Sequence, residues 1–288
     1  MTEIIKTYLD HPSPATLKLP PGSTDSHVHV FGPSDKFPYA ENRGFTPADA
    51  PKEALFALHK KLGIDRCVIV NTLLHGFDNS VVEDAMRAAE GRYLGVALTP
   101  VDLSDAELKR LAAVGFRGLR FHFMPGYKID YTPEQVIALT RRLEPLGMHL
   151  QLQMHAMHAK ELTPLLKQSA VPVVMDHMGR VDATLGLAHE HFQAFCRLLE
   201  MPGFMVKVSG IDRIDSQPPY KQGIPFARHL VRTYPDRCVW GSDWPHPNHT
   251  HIPDDGVLVN ALAQIAPEPA ILQQLMVDNP QLLYRFTA

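Results

Sequence analysis

Eight short runs rich in β-branched and aromatic residues recur along the chain, each followed by a stretch of helical periodicity. They are Thr24–Phe31, Arg66–Leu73, Tyr93–Pro100, Phe116–Met124, His149–His155, Val171–Met178, Phe204–Gly210 and Cys238–Asp243. Runs this short and this apolar read as strands covered on both faces, the pattern of a parallel sheet. In the first intervening segment Leu55, Leu58 and Leu62 share one helical face, and Gly63 supplies a stop. Ser104 with Glu107, and Thr132 with Gln135, have capping-box spacing, the second with Pro133 in the first turn. Helical patterns also cover 79–90, 157–169, 188–200, 222–234 and 255–266. Eight strand–helix units in 288 residues predict an α/β chain forming a single (β/α)8 TIM barrel over 1–288, with 1–22 an irregular N-terminal segment. A doubly wound open sheet is the alternative, but no Gly-rich phosphate fingerprint follows an early strand.

Composition narrows the partners. With 28 Lys and Arg against 31 Asp and Glu, the net charge of −3 offers no general attraction to nucleic acid or to an anionic membrane. No apolar run approaches the roughly 18 residues of a membrane span, and Met-Thr-Glu-Ile-Ile-Lys lacks the apolar core of a secretory signal. A cytoplasmic location is therefore expected. The three Cys, widely spaced, argue against both a disulfide framework and a Cys-rich zinc module. A homo-oligomer is compatible with such a chain.

The unusual number is 16 histidines. A barrel of this class carries its chemistry at the C-terminal ends of the strands. His27 and His29 end the first run, His75 follows the second, and His122 lies near the end of the fourth. His155 and His177 fall at the ends of the fifth and sixth, and Asp243 closes the eighth with His246 just beyond. Residues two apart on a strand point to one side, so His27 and His29 project together. Such a pair can bind a metal or donate hydrogen bonds to an oxyanion; the plainer reading is two polar residues on a half-exposed strand. His177, with Gly179 in the following turn, suits a cavity wall or a core histidine bonded to a carbonyl. Asp176, one residue earlier, is expected to point away from the lumen. Trp244 and Pro245 would wall Asp243 from water, raising its basicity for general-base work; an N-cap or salt-bridge aspartate is the alternative. Arg120, Arg180 and Arg213 are candidate carboxylate clamps, Arg120 most of all because Leu119, Phe121 and Phe123 surround it.

Four motifs carry a resemblance: Asp25-Ser-His27-Val-His29-Val-Phe-Gly-Pro33, Gly118-Leu-Arg120-Phe, Asp176-His177-Met-Gly-Arg180 and Trp240-Gly-Ser-Asp243-Trp-Pro-His246-Pro-Asn. Together they resemble the amidohydrolase superfamily and, within it, the 2-pyrone-4,6-dicarboxylate lactonase branch. The match continues through Ile252–Gly256, Asn279-Pro280 and Leu283-Tyr284, nearly the whole chain. It implies an amidohydrolase-type barrel that opens a lactone of aromatic-acid catabolism without a metal. Asp243 would activate water, and His27, His29 and His177 would polarise the carbonyl. Arg120, Arg180, Arg213 and His246 would grip substrate carboxylates.

The chain departs from that branch at three positions. Gly126 stands where the branch has a second Arg six positions after the strand-four Arg, Gln153 where it has a Tyr late in strand five, and Phe45 where it has a first-loop Tyr. Losing an Arg fork removes a charge-assisted pair of roughly 1.5–3 kcal/mol, enough to change which anion is preferred. Arg43 or Lys128 could compensate from a loop, and Gln153 would line the substrate. The expected substrate is a small lactone with at least one anionic group: the pyrone dicarboxylate, a sulfonated muconolactone or a sugar-acid lactone. No metal cofactor is expected, because strand four offers Arg120 and His122 where metal-dependent branches use a bridging Lys or Glu. The alternative is zinc or manganese on His27, His29, His177 and Asp243, with His155 as a further ligand, as a decarboxylase of the superfamily would need. A non-catalytic anion-binding barrel is the third reading, and the role of Asp243 separates it from the first.

Overall fold

The computed structural model describes residues 3–124 and 130–287. Eight parallel strands succeed one another in chain order: β1 (Thr24–Val28), β2 (Arg66–Val70), β3 (Tyr93–Ala97), β4 (Phe116–Phe123), β5 (His149–Met154), β6 (Val173–Met175), β7 (Phe204–Val208) and β8 (Cys238–Trp240). Backbone bonds from His29 N–H to Trp244 O and from Asp243 N–H to His27 O join the exit of β8 to β1. The result is the (β/α)8 barrel that the run pattern predicts.

Alternate residues of the strands separate into two clusters. Val68, Val70, Leu94, Val96, Val174 and Val239 pack together inside the barrel with Tyr284 and Phe286 of the C-terminal segment. Cys67, Ile69, Tyr93, Val173 and Cys238 face the other way, toward the helices. Gly118 on β4 is required by its neighbour: a Cβ there would come within 2.6 Å of the His149 ring on β5.

The helices form where the caps place them. In α1 (Lys52–Leu62) Leu55, Leu58 and Leu62 are buried, and Gly63 adopts the left-handed conformation that ends it. α2 (Ser80–Ala88) follows β2. At α3 (Asp105–Val114) the Ser104 hydroxyl accepts from Glu107 N–H, but only half of the predicted box forms. At α4 (Pro133–Leu143) the Thr132–Gln135 box is reciprocal. α5 (Ala159–Leu166) and α6 (Glu190–Leu199) follow β5 and β6, and the four-residue α7 (Ile211–Ile214) follows β7. α8 (Ile224–Thr233) and α9 (Asp255–Ile265) complete the outer layer before the C-terminal segment. Among the described residues no helix is long and apolar enough to cross a membrane.

Candidate active site

The strand exits bring three imidazoles onto one carboxylate oxygen. Asp243 Oδ1 lies 3.2 Å from His29 Nε2, 3.7 Å from His27 Nε2 and 3.9 Å from His177 Nε2. The far side of two rings is fixed by hydrogen bonds, His29 Nδ1 lying 2.6 Å from Val70 O and His177 Nδ1 2.9 Å from Ser209 Oγ, while His27 Nδ1 stands 3.2 Å from Asp176 Oδ1 outside hydrogen-bond geometry. His177, Met178, Arg180, Asp243 and His246 all hold positive φ, between 45° and 68°. Each such residue costs about 1 kcal/mol or more, and this chain gathers the cost at one rim, as functional sites do.

Arg213, reaching over from α7, donates from Nε (3.0 Å) and Nη2 (2.5 Å) to Asp243 Oδ2, and from Nη2 to Pro247 O at 3.0 Å. This corrects the expectation for Asp243. Burial alone would push its carboxyl up, but Arg213, His177 and His29 hold it well below the usual carboxylate range, so it stays ionised. Burial disfavours the charged form of three imidazoles: His27 and His122 are lowered to about 3, and His177 is well below its ordinary value. Arg213 thus places a permanent positive charge on the Asp243 carboxylate.

Asp176 corrects a second expectation. It does not point away from the lumen. Its Oδ2 accepts from Arg120 Nε at 2.8 Å, and its Oδ1 accepts from Gln151 Nε2 at 2.8 Å beside His27. The alternation that predicted the opposite applies to a regular strand; β6 ends at Met175, and the chain turns to positive φ at His177, so Asp176 and His177 both face inward. Beneath them Lys207 Nζ donates to Gln151 Oε1 and Ser26 O, both at 2.8 Å. Burial draws that ammonium down to about 7. Sequence reasoning passed over Lys207, although a charged residue within Phe204-Met-Val-Lys-Val208 was the available signal.

A cavity of about 250 Å3 opens above this layer, with His29, His177, Asp243, Arg120, Arg180 and Arg213 among its walls. Gln153 and His122 line it as well; Gln153 Oε1 accepts from Arg120 Nη2 at 3.2 Å. Phe45 and Leu74 supply apolar wall. His246 is not among the lining residues: it is fully buried, with Nε2 3.1 Å from Asp255 Oδ1. His155 stands at an adjacent cavity and belongs to none of the metal-competent groups among the described residues. Arg43 is turned onto Thr46 Oγ1 and Ala40 O and does not compensate for the missing Arg. Gly126 and Lys128 lie outside the described residues.

His27, His29 and Asp243 offer ligand atoms within 4.8 Å of one another, and no hydrogen bond occupies either ring nitrogen of His27. With His177 nearby, the donor set fits a divalent ion of the zinc class.

Residues 24–286 match the family described as Amidohydrolase. The chain is 41% identical to a 2-pyrone-4,6-dicarboxylate hydrolase of Comamonas testosteroni, covering 99% of this chain and 98% of that one. It is 38% identical to a 4-sulfomuconolactone hydrolase of Hydrogenophaga intermedia, over 95% of this chain and 92% of the relative. Among solved structures, a probable 2-pyrone-4,6-dicarboxylic acid hydrolase from Acinetobacter baumannii, with citric acid bound, superposes with a TM-score of 0.82. It is 25% identical, over 92% of this chain and all of that one.

Proposed function

The chain belongs to the amidohydrolase family, and we propose that it hydrolyses a small anionic lactone, with 2-pyrone-4,6-dicarboxylate as the first candidate. One observation carries this reading: an ionised carboxylate, Asp243, ringed by three imidazole nitrogens in a cavity that three arginines wall. The relative at 41% identity is named for that lactone.

A substrate carboxylate entering the cavity meets Arg120, Arg180 and Arg213. It competes with Asp243 for the Arg213 fork, and as Arg213 shifts toward the substrate the Asp243 carboxylate becomes a stronger base. Asp243 then takes a proton from water as the oxygen adds to the lactone carbonyl carbon. The Nε2–H of His177, whose Nδ1 can accept from the Ser209 hydroxyl, donates to the resulting oxyanion. The bond from carbon to ring oxygen breaks, and the proton on Asp243 passes to that oxygen, leaving an open-chain acid. The chain's own charges suffice for these steps in our reading, since a guanidinium already sits on Asp243 Oδ2. A divalent ion held by His27, His29, His177 and Asp243 would, when bound, supply Lewis acidity to the carbonyl and lower the pKa of water.

4-Sulfomuconolactone is the second reading, favoured by the relative at 38% identity and by Gln153 and Phe45 in the wall. Steady-state hydrolysis of both lactones by chelated protein separates the cases. The expected result is turnover of the pyrone dicarboxylate without added metal. Recovery only with zinc or manganese would overturn the metal-free mechanism, and preference for the sulfonated lactone would select the second reading.

A further inference from the structure

Beside the catalytic cavity lies another group of imidazoles and carboxylates to which the lactone reaction assigns no work. One carboxylate oxygen of Asp212 and one ring nitrogen each of His246 and His249 lie within 4.8 Å of one another. Asp212 and His246 are fully buried, and the His249 side chain is 1% exposed. The residues come from two elements: Asp212 from α7, and the histidines from the loop that follows β8.

Three features mark the group as a ligand set. His249 Nε2 and Asp212 Oδ2 form a close ion pair at 2.6 Å that falls outside hydrogen-bond geometry, and buried Asp212 Oδ1 and His249 Nδ1 have no hydrogen-bond partner. Buried polar atoms left in this state are costly, and atoms aimed at a common third centre show this arrangement. His246 presents Nε2 to Asp255 Oδ1 at 3.1 Å while its Nδ1 has no hydrogen-bond partner. A carboxylate behind one nitrogen of an imidazole is the outer-shell support that metal-bound histidines use. His251 Nε2 stands 3.7 Å from Asp212 Oδ2, at the wall of a cavity of about 340 Å3 that gives access from solvent.

We infer that Asp212, His246 and His249 form a second, structural site for a divalent cation of the zinc class, with His251 or water as the fourth ligand. Two imidazoles and one carboxylate with an open position suit zinc or cobalt better than calcium or magnesium, which favour oxygen. The ion braces Arg213. Asp212 is the residue before it, and Pro247, which accepts from Arg213 Nη2, lies between His246 and His249. The site does not depend on the lactonase reading and stands or falls separately from it.

Competition titration of the chelated full-length protein with Zn2+ against a chromophoric chelator tests the site, together with a zinc-edge anomalous map from wild-type crystals. The expected result is a bound equivalent whose affinity falls at least tenfold in H249Q and in D212N and persists in H29N. The anomalous peak should lie among Asp212, His246 and His249. Unfolding midpoints measured in chelator establish that the variants are folded, and the map needs no variant. A map without that peak, or an equivalent lost in H29N and kept in H249Q, overturns the proposal. Chelation of H249Q then reports on the catalytic histidines alone, so failure of this site and failure of the metal-free mechanism are told apart.

Discussion

Arg213 places two N–H groups on a single oxygen of Asp243, the Oδ2 atom, leaving Oδ1 to the three histidines. The carboxylate is thereby shared between a charge that holds it ionised and a cavity in which it can act. Removing the guanidinium should expose the underlying effect of burial. In R213M the acid limb of the kcat/KM profile is expected to move up into or above the ordinary carboxylate range, whereas wild-type activity should show no titration of Asp243 there. The sign follows from Arg213 lowering, and burial raising, the carboxyl. A pH–rate profile unchanged in R213M would dissociate the two residues.

Asp176 ties the specificity arm to the catalytic arm, since Arg120 and His27 share its carboxylate. D176N leaves Arg120 and Lys207 buried with one negative charge fewer, and should destabilise the fold by about 3 kcal/mol. It should also lower kcat/KM by about 100-fold through misplacement of both neighbours. Denaturant melts and steady-state rates check the pair of effects. Wild-type values for both would remove Asp176 from its assigned position.

The barrel was legible because short buried strands favour β-branched and aromatic residues, as in Cys67–Val70 of β2, in β3, β6 and β8, while β1, β4, β5 and β7 also carry buried polar residues. The rim was legible for the same reason: polar residues such as His27, His29, His177 and Asp243 stand out where such runs end. Pairing was not. Nothing local to Arg213 says that its fork closes on Asp243, and strand alternation misplaced Asp176 because the strand ends at Met175. His246 followed the family motif, yet its partner, Asp255, lies at the start of α9 and turns it away from the cavity. Asp212, His249 and His251 carry no strand signal, being loop and short-helix residues assembled by the tertiary fold.

Arg120 is held at Nε by Asp176 and at Nη2 by Gln153, so its guanidinium is oriented before substrate arrives. Loss of a charge-assisted contact of roughly 1.5–3 kcal/mol predicts a rise in KM of about 10- to 100-fold in R120M, with kcat changed less. A fall in kcat at constant KM would instead make Arg120 part of the bond-breaking machinery.

Away from the site, His149 offers a test of acid stability. Burial, with Lys207 nearby, lowers it to about 3 from an ordinary 6.5. Between those values the unfolded chain binds the extra proton, so stability falls as the pH drops below about 6.5. At about pH 5 this amounts to about 2 kcal/mol for the one residue. H149L should therefore lose less stability than wild type between about pH 7.5 and about pH 5, read from urea unfolding at each pH. An equal loss in both proteins would mean that His149 is charged in the folded state.

The central claim is that Asp243 takes the proton from water, and the direct measurement is kcat for the pyrone dicarboxylate in D243N against wild type. Asn conserves the shape and the contact with Arg213 but cannot accept the proton. The expected result is a loss of about 1,000-fold or more in kcat with the fold intact, in the range of general-base removal. Turnover within a few-fold of wild type would contradict the assignment and leave the ring of His27, His29 and His177 without its base.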